Sequence, residues 1–83
     1  MNPHFVSLVM GLAAQANSAL DGQLPPGAEG AGLPEPRQLA QALIDTLSAL
    51  EEKTRGNLDE QEKKLLEQTL TGLKIRFATG QLN

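Results

Sequence analysis

Residues 51–64, EEKTRGNLDEQEKK, place nine charged residues around a single Gly-Asn-Leu break. Apolar side chains recur at three- and four-residue spacing on both sides of it. Leu39, Ala40, Leu43, Ile44, Leu47 and Leu50 come before; Leu65, Leu66, Leu70, Leu73 and Phe77 come after. That period is the mark of an amphipathic helix, so the charged stretch reads as the turn between two of them. The spacing predicts helices over about 36–55 and 60–79. With so few residues joining them, they are expected to form an antiparallel hairpin. Gly56 is expected to end the first of the pair as its left-handed C-cap residue, with Lys53 and Arg55 near the negative end of the helix dipole. Asp59, three positions before Glu62, fits an acidic form of the capping box that opens the last helix, and Leu58 completes the turn. Glu60 and Lys64 stand four apart with the acid first, the favourable order for an exposed pair. Gly72 lies inside the last helix, where close approach of a neighbouring helix would explain it.

Toward the N-terminus, Asn2 suits an N-cap and Pro3 the first helical position. Phe5, Leu8, Val9, Leu12, Ala16 and Leu20 then predict a third amphipathic helix over 3–20. Its other side is unusual. Val6, Met10 and Ala13 widen the apolar stripe, and no Lys, Arg, Asp or Glu occurs between His4 and Leu20. A surface helix normally shows charge to water, so more than one face is expected to be covered. Residues 21–34, DGQLPPGAEGAGLP, hold four glycines and three prolines and read as a flexible linker of fourteen residues. Glu35 and Pro36 open the helix that follows.

The whole is an all-α chain of three helices, one small domain over 1–83. At 83 residues, with no cysteine and only two aromatic residues, it cannot build a large core or staple a small one with disulfides. Association with a second copy is the remaining common remedy. A helical-bundle homo-oligomer, most simply a homodimer, is therefore expected, with Phe5, Leu8, Val9, Leu12 and Ala16 as its candidate interface.

Net charge −3 and a pI near 4.9 argue against general nucleic-acid binding. The longest apolar stretch is too short to span a bilayer, and no basic leader pattern is seen, so a cytoplasmic protein is expected. No cofactor or metal is expected either. His4 is the lone histidine, and no cysteine or second histidine can complete a site around it. Asp45 interrupts an apolar run and invites a general-base reading, but it falls on a polar side of its helix. Pairing with a Lys or Arg of a neighbouring helix is the simpler expectation. Gly56-Asn57 could present backbone N–H groups to an anion, yet Asp59, Glu60 and Glu62 already occupy that positive helix end. Lys74 and Arg76 add a small basic element on an exposed face, with no aromatic platform to stack bases.

The run LIDTLSALEEKTRGNLDEQEKKLLEQTLTGLKIRF, residues 43–77, together with FVSLVMGLAAQANSAL, residues 5–20, resembles a family of short bacterial proteins known as domain of unknown function 1844. Its pattern includes an Ile-Asp-Thr-Leu segment, a Leu-Glu-Glu-Lys-Thr-(Lys/Arg)-Gly-Asn-Leu turn and a Leu-rich last helix. The resemblance implies bacterial origin, a helical fold and a small stand-alone protein, and carries no activity or catalytic residues. Where the family commonly has Thr or Ser before the last helix, this chain has Asp59, which keeps N-cap chemistry. Glu52, Lys53, Thr54, Arg55 and Asn57 match that pattern more closely than turn-building alone requires. They are the candidate contact residues. The leading expectation is a non-enzymatic, self-associating interaction module. The alternative is a regulatory factor that docks on a larger assembly, such as a ribosome or polymerase, through the charged turn.

Overall fold

Three helices form where the periodicities fall: α1 (Pro3–Leu20), α2 (Pro36–Lys53) and α3 (Glu60–Ala78). The computed structural model describes residues 1–23 and 35–79, with no strand among them. Asn2 caps α1, its side-chain oxygen accepting from the backbone N–H groups of His4 and Phe5 at 2.8 and 3.2 Å. Glu35 opens α2, and the Gln38 side chain reaches back to its N–H at 3.2 Å. Asp59 opens α3 in the expected capping box.

The C-terminal end of α1 holds a motif inside the segment expected to be linker. Gly22 has φ +86, its N–H donates to Ala19, and the Gln23 N–H reaches back to Ser18. Those two bonds, six-to-one and five-to-two, make a Schellman stop in which the left-handed residue must be glycine. The helix stop thus takes in Gly22 and Gln23. From residue 24 to 34 the expected linker lies outside the described residues.

Polar contacts fix the helix directions. Met1 and Asn2, at the start of α1, meet Asp59 and Glu62 at the start of α3. Asn17 and Asp21, at the end of α1, meet Arg76 near the end of α3. Arg37, early in α2, lies 4.0 Å over the Phe77 ring and donates to the Phe77 carbonyl at 3.2 Å. So α3 runs parallel to α1, and α2 runs against both; the hairpin of α2 and α3 is antiparallel as expected.

α1 packs on α2 more extensively than α2 packs on α3. One core is shared by all three helices, with Val9, Leu20, Leu47 and Leu66 its largest fully enclosed side chains. Burying each such side chain contributes about 1.5–3 kcal/mol. Leu66→Ala is expected to cost about 2–5 kcal/mol, a large share of the ~4–12 kcal/mol that a domain of this length commonly has. Urea unfolding followed by circular dichroism checks this, and a loss under about 1 kcal/mol would place Leu66 outside the core.

Candidate functional site

The turn is built by backbone needs. The Thr54 N–H donates to the Leu50 carbonyl at 3.0 Å, and the Thr54 hydroxyl donates to the same carbonyl at 2.7 Å, so both Thr54 donors fold back on the last turn of α2. α2 therefore closes at Thr54, and Gly56 is not its C-cap residue. Gly56 instead takes φ +89 as the third residue of a turn closed by the Asn57 N–H on the Thr54 carbonyl at 2.9 Å. A positive φ at that place belongs to a type II turn and favours glycine.

Glu62 carries more than its capping role. Its N–H donates to Asp59 at 2.8 Å, and its own carboxylate accepts from the Asp59 N–H at 2.9 Å. The second carboxylate oxygen accepts from the Asn2 N–H at 2.7 Å, and the side chain is 6% exposed. A nearly buried carboxylate is thus satisfied by two backbone donors from separate segments, beside the positive end of the α3 dipole. The Met1 amine completes the knot with an ion pair to Asp59 at 2.9 Å. The Glu62 N–H, then the Met1 amine, hold the Asp59 carboxyl below its ordinary 3.8. The same contact with Asp59, first as a hydrogen bond and then as charge, raises the Met1 amine above 8.0.

The five candidate contact residues do not converge. Thr54 and Asn57 line a shallow cleft against Asn2 and Phe5 of α1. Lys53 edges a groove between α1 and α2. Arg55 lines a separate cleft with Glu60 and Lys63 of α3. Glu52 is exposed. What the sequence presents as one motif is a junction with three outward sides.

The candidate interface on α1 divides in the same way. Val9 and Ala16 are fully buried inside their own chain and are not available to a second copy, a correction of the expected set. Phe5 and Leu12 are half-buried against the same core. Leu8 is 49% exposed and Met10 51%. Leu8, Leu12, Ala49 and Leu50 line the α1–α2 groove, a shallow and largely apolar space of about 310 Å³. Met10 edges a second groove, against Gly72 and Leu73 of α3.

Four further expectations change. Asp45 makes no interhelical ion pair; it accepts from the Gln41 amide at 2.8 Å, one turn earlier on an exposed face. Glu60 and Lys64 form no ion pair, since the only two among the described residues are Met1–Asp59 and Arg76–Asp21. Gly72 does not serve close approach, because a Cβ there would meet nothing within 4 Å. Arg76 is not a free basic group: it donates to the Asn17 side chain at 2.8 Å and to Asp21, tying the ends of α1 and α3. His4 is exposed, and no group of three or more His, Asp or Glu suited to a metal occurs among the described residues. No helix of the described residues is long and apolar enough to cross a membrane.

Removing Glu62 orphans the N–H groups of Asn2 and Asp59 together. Glu62→Ala is expected to cost about 2–4 kcal/mol in urea unfolding, against under about 0.5 kcal/mol for the exposed Glu60→Ala; equal losses would refute the double role. The pH dependence has a definite sign. Asp59 is depressed when folded, so its contribution is complete above pH 3.8 and disappears as pH falls below that through its lower folded value. The Met1 amine is raised, so its contribution is complete below pH 8.0 and disappears as pH climbs through its higher folded value. Asp59→Asn is expected to flatten both flanks of the stability profile, and unchanged flanks would contradict the contact.

A family model described as domain of unknown function (DUF1844) matches residues 2–79. No curated protein matches the chain. No solved structure matches it. The matched span takes in all three helices and the turn between α2 and α3. The chain belongs to the DUF1844 family.

Proposed function

We propose that this is a non-enzymatic, cytoplasmic, self-associating interaction module whose second copy covers the outer face of α1. The observation that carries the reading is that this face is exposed, partly apolar and free of acids and basic side chains except His4. Ser7, Leu8, Met10, Gly11, Ala14 and Gln15 all face outward on it. In a twofold interface a surface meets itself, so any charge near the axis meets its like. α2 and α3 carry most of the chain's charge, and each copy is −3 overall. α1 is the helix on which two copies can meet without opposing like charges.

The size is adequate. α1 is about 27 Å long at 1.5 Å per residue, and the flanking grooves widen the patch on both sides. A standard interface takes about 800 Å² from each partner, roughly one-seventh of this chain's 5379 Å². Leu8 and Met10, about 200° apart round the helix, would supply an apolar edge on each side, with Ser7, Gly11, Ala14 and Gln15 between them allowing close approach.

Leu8 is not among the fully buried core residues, so Leu8→Glu separates association from folding. Sedimentation velocity of the wild type is expected to give a dimer at micromolar concentration, a binding free energy near −8 kcal/mol. Leu8→Glu is expected to give a monomer of unchanged helical circular dichroism. A folded wild-type monomer at that concentration, or a Leu8→Glu chain that still associates, would defeat the proposal.

A further inference from the structure

The cleft at the tip of the hairpin has no contribution from α1. Its lining comes from the last turn of α2, the connecting turn and the first two turns of α3, and it encloses about 430 Å³. Leu58 and the fully buried Leu66 give it an apolar floor. That volume falls within the range of sites that hold a ligand or a few side chains.

Its walls are charged in a definite order. Along α3 stand Glu60, Lys63 and Glu67, acid, base, acid at spacings of three and four on one helix face. Across from them stand Glu51 and Arg55. None of these five side chains makes an ion pair or a side-chain hydrogen bond within the chain, among the described residues. The geometry of the turn does not use them either, since Thr54, Gly56, Asp59 and Glu62 fix it. Apart from Glu60, which stands in the first turn at the positive end of α3, these charges around an apolar floor have no partner within the chain among the described residues.

We propose that this cleft docks a short helical segment of another protein, bearing base, acid, base at three- and four-residue spacing beside one aliphatic anchor. The aliphatic side chain enters over Leu58 and Leu66. The central acid of the segment faces Lys63, and its two bases face Glu60 and Glu67. Arg55 adds a second cation for an acid at the turn end. Glu51 and Glu67 both lie on the side away from the turn, so that end favours a base. A helix supplies such a pattern along one face over the ~10 Å that seven residues rise. Three carboxylates against two cations disfavour a phosphate backbone, which selects protein over nucleic acid.

The proposal is independent of self-association, which sedimentation reads separately. The probe is a displayed library of short helical peptides, randomised at the three charged positions and at the anchor. Wild-type protein is expected to enrich base–acid–base peptides with Leu, Ile or Met as anchor. The triple variant Glu60→Lys/Lys63→Glu/Glu67→Lys, whose substituted side chains are all exposed, is expected to enrich the inverted order instead. Each enriched peptide is expected to bind its own selector at least about tenfold more tightly than the other, the effect of turning three surface attractions into repulsions. Absence of enrichment, enrichment with no charge order, or peptides that bind both proteins alike would overturn the proposal. So would tighter binding of a single-stranded RNA oligonucleotide. Loss of wild-type self-association in the triple variant would assign the cleft to a second copy and overturn it as well.

Discussion

The Glu62 carboxylate is the tie on which the parallel course of α1 and α3 depends. One oxygen accepts the N–H of Asp59 and closes the start of α3; the other accepts the N–H of Asn2 and holds the start of α1. A nearly buried carboxylate is costly to leave without such partners, because an unsatisfied buried polar group forfeits its hydration. The two bonds therefore set α1 in register with α3. The far end is held by a different contact of the same kind, Arg76 against Asn17 and Asp21. Between these two ties the apolar stripes close on one another, and α1 becomes part of its own chain's core.

Fixing α1 in that way decides what is left outside. The hairpin keeps most of the charged residues, while α1 turns an uncharged face to the exterior with Leu8 and Met10 half exposed. Two surfaces of opposite character result: a neutral one suited to meeting its own copy, and a charge-ordered cleft at the hairpin tip suited to a different protein. They draw on different residues, so one chain can support both at once. The polar groups that hold the helices together are those of Asn2, Asp59, Glu62 and Arg76, which serve as caps and helix-to-helix ties.

Much of this architecture was legible in the sequence because local rules and packing agreed. The apolar periods located all three helices, and Asn2, Pro3, Pro36 and Asp59 marked their starts. What escaped was tertiary in origin. Glu62 looked complete as a capping residue, and nothing in its neighbourhood shows that its second oxygen serves residue 2, sixty positions away. The same holds for Arg76, which reads as a surface base until α1 is placed beside it. Gly22 was a different kind of miss. A glycine two residues after the last periodic position is the standard helix stop, but the glycines and prolines that follow masked it as linker. The candidate interface was half legible: periodicity identified the apolar residues of α1, yet it cannot say whether Val9 or Leu8 turns inward. The charged turn misled in the opposite sense. Adjacency in sequence suggested one site, and the geometry of a tight turn sends its side chains to three sides.

The central claim is that α1 closes the core of its own chain and offers only its outer face to a second copy. Isotope-filtered nuclear Overhauser measurement on a mixture of labelled and unlabelled protein tests it most directly. Contacts between chains are expected from Leu8, Met10 and Ala14, with Val9 and Ala16 showing contacts only within one chain. Contacts between chains from Val9 or Ala16 to the buried leucines of α2 and α3 would mean that α1 is exchanged between subunits, and would contradict the account.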